Sequence, residues 1–165
     1  MGKNYIANGD FSSGSFDGWL VNESYVKLLD TTQTVAGKRL DYLAGISPAP
    51  VSAGAIFQQT GLVEPGTYEL SFAYGAGMAG EHDPERLCVG SFVSASADGK
   101  IESFMFDFVA KASLKYERVT IVVSAHAEPI RFIFGMNILG FQNSTLGITV
   151  GPVVVGDFEL SRVAD

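Results

Sequence analysis

The chain of 165 residues is short of the residue types that most chemistry needs. Its one cysteine, Cys88, can form no disulfide within the chain and no multi-thiolate metal site. It lies in the apolar run Leu87-Cys88-Val89, which reads as a small buried hydrophobe rather than a nucleophile. Histidine is nearly as scarce, with only His82 and His126. No Gly-x-Ser-x-Gly, His-Glu-x-x-His or phosphate-cradling Walker segment occurs, so the chain reads as a non-enzyme. The 11 basic residues face 18 acidic ones, for a net charge of −7, and form no run longer than Lys38-Arg39. Neutralising phosphates takes clustered Lys and Arg, so nucleic acid and anionic membrane surfaces are excluded as partners. Long apolar runs are missing too. Val119 to Ala125 falls far short of the roughly 20 residues that span a bilayer, so no membrane insertion is expected. Lys3 is followed by no apolar segment of the kind a secretory signal needs. The expectation is a chain that is cytoplasmic when made, with release by lysis and display on a virion surface as its way out.

Apolar residues make up 47% of the chain and charged residues 18%, which excludes disorder and suits one core in a single domain over residues 1–165. The 19 glycines fall between short β-rich runs, the pattern of an all-β sandwich or barrel. In Thr67 to Gly75, Tyr68, Leu70, Phe72 and Tyr74 alternate with Thr67, Glu69, Ser71 and Ala73, giving one apolar and one polar face. Pro65-Gly66 sets a turn before it. In Glu102 to Val109, Phe104, Phe106 and Phe108 share a face, and Asp98-Gly99 turns the chain back towards a strand over Leu87 to Ala95. Further strands are expected over Ser24 to Leu29, Arg39 to Ala44, Ala55 to Thr60, Glu117 to Ala125, Ile130 to Phe134 and Val153 to Ser161. No stretch sustains a helical apolar period, so helix is limited to a turn in a loop. The fold class is a two-sheet antiparallel β-sandwich, a jelly roll.

Three segments carry a further signal. The start reads Asn8-Gly9-Asp10-Phe11, then Gly14, then Gly18-Trp19. The middle reads Phe57-Gln58-Gln59, then Pro65-Gly66-Thr67-Tyr68-Glu69-Leu70-Ser71-Phe72. The end reads Val155-Gly156-Asp157-Phe158-Glu159-Leu160. In this order and spacing they resemble the carbohydrate-binding modules of the galactose-binding-like jelly-roll superfamily. The resemblance implies core roles for Phe11, Trp19, Tyr68, Leu70, Phe72, Phe158 and Leu160. It also implies a structural calcium between the chain ends, for which Asp157 and Asp10 are the ligands offered here, with Asp17 as a further contributor. Two acidic positions of that pattern are absent: Ser12 stands after Phe11 and Gly156 before Asp157. The alternative for Asp10 and Asp157 is to cap turns and strand ends.

Sugar binding needs an aromatic platform and a few polar side chains for the hydroxyls. Tyr25 shares parity with Lys27 on the outward set, while Tyr42 shares parity with Leu40, which leaves its face undecided. Arg39, Asp41 and Gln58 are polar residues inside strands, suited to a groove on one sheet or to a solvated sheet face. The loop from Gly75 to Arg86 joins three glycines to the charged run Glu81-His82-Asp83-Pro84-Glu85-Arg86, and offers His82, Asp83 and Arg86 for a ligand or a neighbouring subunit. The leading expectation is a non-catalytic glycan-binding module. The alternative is a structural phage virion protein, a capsid decoration, fibre or tail component. Either would work as a homo-oligomer or array, since weak single sites gain from multiplicity.

Overall fold

The structure, a computed structural model, describes residues 2–24, 26–46, 55–76, 86–95, 101–110, 114–123, 130–137 and 153–164. Among these the regular elements are ten strands: β1 (Leu20–Val21), β2 (Val26–Val35), β3 (Lys38–Ile46), β4 (Ala55–Val63), β5 (Gly66–Ala76), β6 (Arg86–Ala95), β7 (Ile101–Ala110), β8 (Lys115–Val123), β9 (Ile130–Asn137) and β10 (Val153–Ala164). No helix among the described residues is long and apolar enough to cross a membrane. The strands form two five-stranded sheets of order β1-β4-β9-β6-β7 and β2-β3-β10-β5-β8. Every pairing is antiparallel. Each expected strand has a counterpart among the described residues, with β2 starting at Val26 and β8 running over Lys115–Val123, and the short β1 is added.

The sheets meet across one apolar core. Ile6, Phe11 and Trp19 of the N-terminal segment and Ile56 of β4 pack there against Val26, Ala44, Tyr68, Leu70, Phe72, Tyr74, Ile121, Val155, Phe158 and Leu160. The alternation in β5 thus buries the side expected. Its other side is polar only in part. Ala73 is fully buried in a second apolar cluster with Val35, Leu40, Leu43 and Val154. Side chains of β6, β7 and β9 lie outside the described residues, as does the Asp98-Gly99 turn, so the expectations for Cys88 and the Phe104-Phe106-Phe108 face concern positions the structure does not describe.

Two local features bring the chain ends together. Ala36 and Gly37 both have positive φ, 48° and 81°, and close a two-residue hairpin between β2 and β3. In β10, Gly156 pairs with Ala73 and Glu159 with Ser71, so Asp157 and Phe158 together stand opposite Phe72 alone. This is a β-bulge, with Asp157 at φ 52°. It shifts the parity of the strand. Val155 faces the core before the bulge, and Phe158 and Leu160 face it afterwards. Phe158 then stacks on Phe72 with ring centroids 5.7 Å apart and meets Trp19 at 5.2 Å and Phe11 at 6.2 Å. The aromatic residues of the opening and closing segments therefore form one cluster.

Candidate functional site

β3 pairs with β10 only over Val153 to Val155. Beyond the bulge, the N-terminal segment takes over that edge of β10. Phe158 N donates to the Gly9 carbonyl at 2.9 Å and Tyr5 N to the Leu160 carbonyl at 2.8 Å. The Asn4 side chain accepts from Leu160 N at 3.0 Å. Gly9 is needed for this approach, because a Cβ there would collide with the Phe158 carbonyl. The place where β3 departs and the N-terminal segment enters is a fork holding a polar cavity of about 220 Å³. Asn4, Asn8, Asp10, Lys38, Asp157 and Glu159 line it.

Asp157 is the most constrained polar group in the fork. Its side chain is 11% exposed. Lys38 Nζ donates to Oδ1 at 2.7 Å, and Tyr116 Oη donates to Oδ2 at 2.6 Å. Burial, then the hydrogen bond and negative charge of Asp157, push the Tyr116 phenol far above its ordinary range, so it stays a donor. Asp10 is exposed and caps its own turn, with Oδ1 accepting from Ser12 N at 3.1 Å. Both aspartates line the cavity; Asp10 caps a turn, as the alternative reading has it, whereas Asp157 caps no strand end but accepts two side chains from a bulge inside β10.

Calcium takes six to eight oxygens, several from carboxylates. Among the described residues no group of three or more His, Cys, Asp or Glu side chains could hold a metal ion. Both oxygens of Asp157 already accept, one of them from a cation. The donor set described here does not fit a calcium ion.

The other candidate residues do not gather at one place. Arg39 and Asp41 are exposed on β3, two residues apart, with Arg39 Nε donating to Asp41 Oδ1 at 2.7 Å. Tyr42 is half-buried against the inter-sheet core, on the opposite side of the strand from that pair. Gln58 corrects the sequence reading most clearly. It lines no groove and no solvated face; it is 4% exposed beside the buried Ile56. Its Oε1 accepts from Ala7 N at 2.7 Å and its Nε2 donates to the Ala7 carbonyl at 2.8 Å. The amide thus pairs with the N–H and C=O of one residue, Ala7, as a neighbouring strand would. Tyr25, His82 and Asp83 lie outside the described residues, as does the side chain of Arg86 at the start of β6.

Sequence reasoning missed Lys38, Tyr116 and Asn8. A lysine after a hairpin turn reads as solvated, and nothing in the chain marks its partner 119 positions away. Asn8 organises the opening loop. Its side chain donates to the carbonyls of Ser15 and Asp17, and its own carbonyl accepts from Trp19 Nε1 at 2.9 Å. The Asn8-Gly9 motif had pointed to that segment without showing its task.

No family model matches the chain, and no curated protein matches it. Solved structures do. A family 61 carbohydrate-binding module, solved in complex with β-1,4-galactotriose, is 15% identical with a TM-score of 0.59, over 98% of this chain and 99% of its own. A family 22 xylan-binding domain of Paenibacillus barcinonensis is 17% identical with a TM-score of 0.61, over 94% and 98%. The enzymatically active domain of a tailspike of bacteriophage CBA120 is 13% identical with a TM-score of 0.60, over 97% of this chain but 21% of its own. These likenesses establish the fold: an antiparallel β-sandwich of the kind seen in carbohydrate-binding modules.

Proposed function

We propose that the protein is a non-catalytic glycan-binding module. The observation that carries this reading is the match, over nearly the full length of both chains, between this chain and carbohydrate-binding modules, one solved with β-1,4-galactotriose and one xylan-binding. The acidic balance agrees, since a surface of net charge −7 suits neutral hydroxyls better than phosphates. Of the residues offered by the sequence, Arg39 and Asp41 are the ones that stand exposed as a paired donor and acceptor. They are the first choice for sugar hydroxyls, together with Tyr25, His82, Asp83 and Arg86. Gln58 is withdrawn from that set, and Tyr42 supports the core side of β3.

The tailspike likeness favours a second reading, in which the same sandwich is one part of a phage surface assembly and serves adhesion or subunit contact. The two readings meet if the module acts in several copies, as a homo-oligomer or array, where linked weak sites gain effective concentration. Affinity electrophoresis through gels containing soluble β-1,4-galactan or xylan tests the first reading. Retardation by one of the polysaccharides is expected. Unchanged mobility in these and in a broader panel of neutral glycans would leave only the assembly role.

A further inference from the structure

We propose that the Lys38 ammonium takes the place of the calcium ion that the family resemblance implies, so that Asp157 ties β3 and β8 to β10 without metal. A divalent ion in the fork would need carboxylates to balance it. Ser12 and Gly156 stand at two of the acidic positions of the pattern, and Asp10 and Glu159, which also line the fork, are exposed, which leaves Asp157 as its one buried carboxylate. A single ammonium balances a single carboxylate. Lys38 supplies it, with Nζ 2.7 Å from Oδ1.

Geometry agrees with charge. β3 leaves β10 at the bulge, and the gap beyond is where a cation would join the strands to the N-terminal segment. The hairpin at Ala36-Gly37 puts Lys38 at the very start of β3, from where its side chain spans that gap. Tyr116 reaches the other oxygen of Asp157 from β8. One carboxylate thereby ties together β3, β8 and β10. A metal at Oδ1 would have to displace the ammonium and would face its repulsion.

Thermal unfolding of the full chain, treated with EDTA and then given excess calcium chloride, tests this. The melting temperature of the unaltered chain should be the same in both conditions to within about 1 °C, because a ligand that does not bind does not stabilise. Lys38→Met and Asp157→Asn should each lower it by about 2–8 °C, the effect of leaving a buried polar group without its partner in a chain of this size. The double variant should fall no further than Asp157→Asn alone. A calcium-dependent rise of several degrees in the unaltered chain would overturn the proposal, and this arm stands even if the variants fail to fold. Additive losses in the double variant, or a Lys38→Met chain as stable as the original, would overturn it as well.

Discussion

Gln58 and Asp157 are the buried polar side chains among the described residues, and both ends of the Gln58 amide bind the backbone of Ala7. Gln58→Leu keeps the volume but strips the Ala7 N–H and carbonyl of their partner. The expected cost is about 1–3 kcal/mol, the range for orphaned buried polar groups, read from chemical denaturation midpoints. A loss well under that range would mean that water replaces the amide freely. The tyrosines give a pH signature. Tyr68, through burial first and the neighbouring Tyr5 next, and Tyr116, through burial and Asp157, both hold their phenols above the ordinary value of 10.0. The folded chain binds these protons more tightly than the unfolded one. Their contribution is complete below pH 10.0 and is lost as pH rises beyond it. Denaturation midpoints should fall above that pH, and more shallowly in Tyr116→Phe. Gln58 was partly legible. It shares strand parity with Ile56, so alternation alone pointed it inward, but a glutamine in a strand is ordinarily read as facing solvent.

Strands were the most legible level, because their signal is local. The period of two in β5 requires only that Tyr68, Leu70, Phe72 and Tyr74 share a face, and all are buried. Phe72 sits in the middle of this strand and stacks on Phe158. Phe72→Ala should cost about 3–5 kcal/mol in chemical denaturation, as for a buried aromatic truncation. A cost below about 1 kcal/mol would contradict the packing. The bulge in β10 left a trace in the sequence as a slip in alternation between Val155 and Phe158-Leu160. What the bulge does, turning Asp157 towards Lys38 and Tyr116, depends on strands distant in the chain and could not be read locally. The N-terminal segment behaves as an element without being a regular strand, since Asn4 to Gly9 follow the edge of β10. Gly9→Ala would force its new Cβ into the Phe158 backbone. It should lower stability by about 1–3 kcal/mol, an overpacking cost, checked by the same denaturation measurement.

At the scale of the whole molecule, the sandwich follows from short amphipathic runs and glycine turns, and the likeness to solved modules confirms that outline. The site was less legible for a physical reason. Core positions repeat with the strand period, whereas a binding surface is assembled from exposed residues that any strand tolerates. Of the candidates on β3, Arg39 and Asp41 face solvent as a pair and Tyr42 does not join them. A single exposed pair with little aromatic support gives weak binding, which is why several copies are expected to act together. The most direct measurement is an amide chemical-shift titration of the isotopically labelled chain with a soluble β-1,4-linked oligosaccharide. The account predicts saturable shifts that include the Arg39–Asp41 stretch of β3, an affinity in the weak range, and an oligosaccharide recovered intact. An unchanged spectrum across neutral glycans, or cleavage of the sugar during the titration, would contradict it.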